Sequence, residues 1–170
     1  MNQNLSHNEI SAFSAKGRFG RLSYMGWSFL LSLIFCFIVI TFASLLDVSN
    51  IETSASPMAT LFMAGTFYVI YFYFIFVFTI RRLHDCNTSG WLSLLLIVPL
   101  LNIIFCLYLM IAKGDEGHNN YGPARQTRTW EKVLGIFYII LPILGLLLAV
   151  TIPAYQNYIH KTSHAQIEKN

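Results

Sequence analysis

Four uncharged runs decide what this chain can fold into. Tyr24–Leu46 and Met58–Ile80 are 23 residues each, Trp91–Ala112 and Val133–Ala154 are 22 each, and no Asp, Glu, Lys or Arg falls inside any of them. At about 1.5 Å per residue such a helix measures roughly 34 Å, enough to cross the hydrocarbon core of a bilayer with some tilt. Lipid offers no partner to a backbone N–H or C=O, so each run is expected to satisfy its own by forming helix. Composition agrees, since 55% of the 170 residues are apolar and only 11% are charged, where soluble domains carry about a quarter. The expected fold is all-α: a polytopic helical membrane protein with three full spans and a third hydrophobic segment broken by Pro99.

That broken segment admits two topologies. Pro99 and Asn102 interrupt Trp91–Ala112, so it is either a kinked fourth span or a re-entrant pair of short helices turning at Pro99-Leu100-Leu101-Asn102. Charge separates them. With a kinked span, Lys113, Arg125, Arg128 and Lys132 fall on the trans side; with a hairpin they join Lys16, Arg18, Arg21, Arg81 and Arg82, nine cations against Lys161 and Lys169 alone outside. The excess of Lys and Arg in cytoplasmic loops favours the hairpin, with the N-terminus cytoplasmic. The third run is expected to open with Ser89 or Thr88 as its N-cap.

The segments between the runs carry the chemistry. Lys16, Arg18 and Arg21, with Phe19 and Leu22 between them and Tyr24 and Trp27 following, read as an anchor for anionic lipid at the headgroup level. Arg81-Arg82-Leu83-His84-Asp85 places four ionisable residues together between two apolar runs. Asp85 lies three residues after Arg82, one helical turn, so the two are expected to pair at the membrane boundary. With Trp91, the residues Arg81, Arg82, His84 and Asp85 form the candidate binding cluster, for a partner or for a phosphate-bearing ligand. Eight of the twelve residues from Phe67 to Phe78 are aromatic, which predicts ring packing against neighbouring helices or lipid. In the last run Pro142 predicts a kink, and Gly145 with Ala149 gives a small face on which another helix packs.

The chain divides into a tail over 1–16, a helical membrane domain over 17–123, a basic linker over 124–132, a final spanning helix over 133–155 and a polar tail over 156–170. The first run is too long for a cleavable signal. Cys36 and Cys106 lie inside apolar runs and Cys86 in a basic segment, so no disulfide framework is expected. Asp115, Glu116 and His118 sit in the turn-rich Gly114–Pro123 without the spacing of a metal site, and no metal or cofactor is expected. The small net charge of +3 reads as an orientation signal, with no nucleic-acid partner.

The motifs Gly17-Arg18-Phe19-Gly20-Arg21, Arg81-Arg82-Leu83-His84-Asp85, Ser89-Gly90-Trp91 and Gly117-His118-Asn119-Asn120-Tyr121-Gly122 together resemble the domain-of-unknown-function 805 family of bacterial inner-membrane proteins, over residues 17–123. The resemblance implies a bacterial plasma-membrane location and no particular activity. The stretch Ile143–Tyr158 is similar to the hydrophobic N-terminal helix of type IV pilins, though without their cleavage sequence or glutamate.

Function follows from what the runs lack. Ion-coupled transport calls for ionisable groups at membrane depth, and there are none. No nucleophile elbow, phosphate loop or carboxylate pair suggests an enzyme. A small oligomeric channel or passive transport subunit lined by Ser28, Ser32, Thr66 and Asn102 is the alternative. The leading expectation is a membrane interaction or scaffold component whose partners are the bilayer, anionic lipids among it, and another membrane protein or a second copy.

Overall fold

The computed structural model describes residues 14–45 and 57–167. Its elements are α1 (Arg21–Leu45), α2 (Pro57–Asp85), a 3-10 helix (Gly90–Ile97), α3 (Leu101–Ile111) and α4 (Thr129–Ile167). No strand occurs among the described residues, as expected of an all-α chain. Most of the N-terminal tail, the loop holding Asp47 and Glu52, and Lys169 lie outside the described residues.

Among the described residues three helices are long and apolar enough to cross a membrane, over Arg21–Ser44, Met58–Asp85 and Thr129–Ile159, and the chain is a membrane protein. Each begins or ends beyond its uncharged run. α2 carries Arg81, Arg82, His84 and Asp85 as its last turn, where cations offset the partial negative charge of a helix C-terminus. α4 starts at Thr129, inside the expected basic linker, and runs unbroken through Pro142 and Pro153 to Ile167, well into the expected polar tail.

The third run is a hairpin. The 3-10 helix opens on Ser89, whose Oγ accepts the Trp91 N–H at 3.4 Å. Eight residues of 3-10 helix and eleven of α3 each rise only about 16 Å, half a hydrocarbon thickness. Between them Leu100 takes φ 67° and ψ −47° while the Leu101 N–H donates to the Pro99 carbonyl at 2.9 Å, the rare classic γ-turn. Asn102 Nδ2 donates to the Leu96 carbonyl across the turn at 3.4 Å, supplying a partner to backbone that lipid would leave bare. The chain then returns to where it entered, since the Asp115 N–H donates to the Asp85 carbonyl at 2.9 Å.

The starts of α1 and α4, the C-terminus of α2 and both feet of the hairpin therefore meet at one end of the bundle, the polar end. α1 and α2 run antiparallel along a ladder of ring contacts, from Trp27 on Phe78 (5.8 Å between centroids) through Phe35 on Tyr71 (4.4 Å) to Phe42 on Phe67 (6.2 Å). This is the packing expected of the aromatic run. The core lies low in the bundle: Phe19, Tyr24, Met25, Val77, Phe78, Leu83, Phe105 and Leu109 are buried. Only 17%, 11% and 6% of the most apolar stretches of α1, α2 and α4 are covered.

α1 and α4 touch backbone to backbone near the polar end. A Cβ on Gly26 would lie 2.5 Å from the Glu131 carbonyl oxygen, and one on Gly135 would lie 2.8 Å from that of Leu22. Gly145, the expected packing residue, has nothing within 4 Å of such an atom, so none of the described helices covers that face. Substituting Gly26→Ala is expected to force the helices apart and to cost about 1–3 kcal/mol. Gly145→Ala should be neutral or slightly stabilising, because alanine has the higher helix propensity. Unfolding midpoints in a mixed-micelle denaturation series check the order, and equal midpoints for the two variants would contradict the close contact.

Candidate functional site

The polar end is built around two carboxylates and four arginines. Asp85, in the last turn of α2, meets Arg82 one turn back at 2.5 Å, with the Arg82 side chain fully covered. The pairing expected from the i, i+3 spacing is present. A third member joins it, since Arg18 Nε donates to the other Asp85 oxygen at 3.1 Å. Arg18 was expected to hold lipid headgroups beside Lys16 and Arg21. It is only 1% exposed, so that expectation is corrected for Arg18, while Lys16 and Arg21 are exposed.

Each guanidinium ties a different segment to Asp85. Arg82 donates from Nε to the Leu109 carbonyl at 2.8 Å, from Nη1 to that of Phe19 at 3.3 Å, and from Nη2 to that of Ala112. The Leu109 and Ala112 carbonyls lie at the C-terminal end of α3, where a helix leaves its carbonyls without intrahelical partners, and the Phe19 carbonyl lies just ahead of α1. Arg18 donates from Nη1 to the carbonyls of Gly117 and Gly122 at 2.6 and 3.0 Å, and from Nη2 to that of Asp115. One carboxylate thus locks the segment before α1, the end of α2, the hairpin and the 112–122 loop. Gly114 passes so close that a Cβ there would overlap an Asp85 oxygen.

The loop closes over this group by its own turn chemistry. Asn119 and Gly122 exchange backbone hydrogen bonds at 3.1 Å, with Gly122 at φ 109°, a conformation that glycine takes without steric cost. Asn119 Nδ2 donates to the His84 carbonyl at 2.8 Å. The Tyr121 ring lies flat on His84, centroids 3.9 Å apart and planes 8° from parallel. One face of His84 is therefore covered by the loop and the residue is half-buried, whereas Trp91 is 81% exposed, so the structure does not bury that ring in the cluster. Cys86 follows directly; burial, and the carboxylates of Asp85 and Asp115, push its thiol up against the opposing pull of Arg82 and Arg18, which keeps it protonated and slow to react at neutral pH.

Sequence reasoning missed the second carboxylate. Glu131, in the first turn of α4, has no exposed surface. It accepts from Ser23 Oγ at 2.8 Å, Trp27 Nε1 at 2.9 Å, Arg125 Nη2 at 2.5 Å and the Arg128 N–H at 3.1 Å. The available signal was a single glutamate standing in a basic segment directly ahead of an uncharged run, four residues from Gly135 and so on the same helix face. Phe19 joins the two carboxylate groups: its ring packs 6.3 Å from Trp27 and 5.8 Å from Phe78, and it carries the Arg81 guanidinium 3.9 Å from its centroid and that of Arg125 at 5.2 Å.

Chemically this is an assembly of buried ion pairs. Both carboxylates are engaged by guanidinium groups, and no group of three metal-ligating residues occurs among the described residues. The polar residues considered for a conduit are engaged locally: Ser32 and Thr66 donate to the carbonyls of Ser28 and Phe62, one turn earlier in the chain, at 2.9 Å each, and Asn102 is used in the hairpin turn.

The range that holds the Asp85 clasp also relates this chain to others. Residues 12–123 match a family described as "Protein of unknown function (DUF805)". The chain is 35% identical over 43 residues to the "Inner membrane protein YhaH" of Escherichia coli K12, and equally to that of Escherichia coli O157:H7, an overlap of 25% of this chain and 36% of each relative. The chain thus aligns with well under two-thirds of the length of these curated relatives. No solved structure matches. With about two-thirds of its residues, and every segment of the Asp85 clasp, inside the matched range, the chain belongs to the DUF805 family of proteins of unknown function.

Proposed function

We propose that this protein is an interaction or scaffold component of the bacterial inner membrane, in which a rigid polar end faces the cytoplasm and holds α2 and α4 for contact with a membrane partner or a second copy. The observation that carries this reading is the uneven distribution of packing. Among the described residues nine polar or charged side chains are buried, most of them clustered around Asp85 and Glu131 at the polar end, while α4 beyond Tyr138 is exposed along its whole described length. Glu131 thus fixes the base of α4 while the exposed upper half is left available to a partner. The bare part includes the stretch similar to the pilin helix, and Gly145 and Ala149 within it offer the close approach that helices use in lipid.

A photoreactive residue at Leu144 or Leu148 tests this in native membranes. Adducts to a defined protein, or to a second copy, are expected from these positions and not from Ile104 on the exposed side of α3. Lipid adducts alone at all three would sink the scaffold reading. Orientation is checked separately. In a variant lacking Cys36, Cys86 and Cys106, a cysteine at position 117 is expected to resist an impermeant maleimide in intact cells and one at Ser163 to react. Labelling at 117 from outside would reverse the polar end.

A further inference from the structure

A cleft of about 310 Å³ opens between α1 and α2, within the range of small-molecule sites, about 300–1,000 Å³. Leu31 and Phe35 of α1 and Tyr71 and Phe74 of α2 line it, and Trp27 and Phe78 close its lower end. Its wall is almost wholly carbon, and Ile34 and Ile70 at its lip are about half exposed, so it communicates sideways with the surrounding hydrocarbon. Directly beneath Trp27 and Phe78 lies Phe19 with its two guanidinium groups.

Those groups leave a positive charge without a partner. Arg18 and Arg82 share Asp85, and Arg125 pairs with Glu131. Arg81 is 3% exposed, meets no carboxylate at ion-pair distance among the described residues, and has a buried Nε with no acceptor. Arg125 Nη1 is likewise buried without one. Burying a guanidinium N–H without an acceptor is costly, and the group that best satisfies its planar fork is a pair of oxygens on a phosphate or carboxylate. Arg125 sits in the 112–128 loop with a quarter of its side chain exposed, which gives an anion its way in.

From an apolar cleft open sideways to lipid, and two under-satisfied arginines below the Trp27, Phe78 and Phe19 rings that close its lower end, we infer that this protein holds one anionic phospholipid, its acyl chain between α1 and α2 and its phosphate reaching past those rings to Arg125 and Arg81. The charge excess selects an anionic headgroup over a zwitterionic one, and the carbon wall selects a lipid over a free anion. This site is distinct from the exposed Lys16 and Arg21 at the surface. It does not depend on the scaffold reading.

Trp27 makes the test direct, because it lines the cleft. In full-length protein with Trp91→Phe and Trp130→Phe, reconstituted in liposomes, Trp27 fluorescence is measured with a fixed fraction of lipid brominated in mid-chain. Carried on phosphatidylglycerol, the bromine is expected to report an occupancy about fivefold higher than when carried on phosphatidylcholine. Arg125→Gln should abolish that preference, and Arg128→Gln, which removes an exposed cation from the same loop, should keep it. A second variant, Leu31→Phe with Ile70→Phe, fills the cleft without touching an arginine and should lower quenching by both lipids. Equal quenching by the two lipids in the parent protein overturns the proposal, as does a preference lost equally in Arg125→Gln and Arg128→Gln.

Discussion

Replacing Asp85 by asparagine is expected to cost this protein about 3–5 kcal/mol of folding free energy, the range for removing one partner from a buried ion pair. The substitution keeps the side chain's size and one acceptor oxygen, so packing changes little. What it removes is the negative charge between Arg18 and Arg82, both fully covered at the side chain. Their carbonyl contacts to Leu109, Gly117 and Gly122 survive, which limits the loss, yet carbonyl dipoles do not neutralise two buried cations. A double-mutant cycle with Arg82→Leu separates charge from packing: the coupling energy between positions 82 and 85 is expected to be above 1 kcal/mol, as for residues in one network. Denaturant titration in mixed micelles gives these energies. A loss below about 1 kcal/mol for Asp85→Asn would show the clasp to be ornamental.

Half of that clasp was legible in the sequence and half was not, for a physical reason. Arg82 and Asp85 are three residues apart on one helix, and local spacing alone brings them together. Arg18 reaches Asp85 across 67 residues of chain, and nothing local distinguishes it from Lys16 and Arg21, which stay exposed. The positive-inside count was right about the hairpin for a related reason: charge near the ends of apolar runs reports which ends lie together, although not which side chains meet. Glycine shows the same limit. The Gly145 and Ala149 spacing is visible in sequence, whereas Gly26 and Gly135 are single glycines on different helices, made into a pair only by the crossing of α1 and α4. Periodicity within an element is written in the sequence, and pairing between elements is written only where the spacing is local.

The second large effect is expected at Glu131, which fastens α4 to α1. Glu131→Ala leaves the Trp27 indole N–H, an Arg125 guanidinium and the Arg128 N–H without their acceptor in a covered site; Ser23 keeps Thr127 as a partner at 3.2 Å. Each orphaned buried donor costs about 1–3 kcal/mol, and the costs overlap because water entering the gap serves several at once, so a total near 3–5 kcal/mol is expected. Glu131→Gln should fall between the two. Its carbonyl oxygen replaces one carboxylate oxygen, while its amide presents N–H to the Ser23 hydroxyl and opposes the Arg128 N–H. Hydrogen exchange at the start of α4 gives a local readout that global stability does not. The Arg128 amide is held by the Glu131 side chain, and the Lys132 amide by the Arg128 carbonyl at 3.1 Å, so both should exchange faster in Glu131→Ala, whereas the amides of α3, held through Arg82 and Asp85, should keep their protection. If α3 loosened equally, the two carboxylates would be acting as one unit and the polar end would open as a whole. Selective loosening at α4 would mean that the last helix can be released while the Asp85 clasp stays shut.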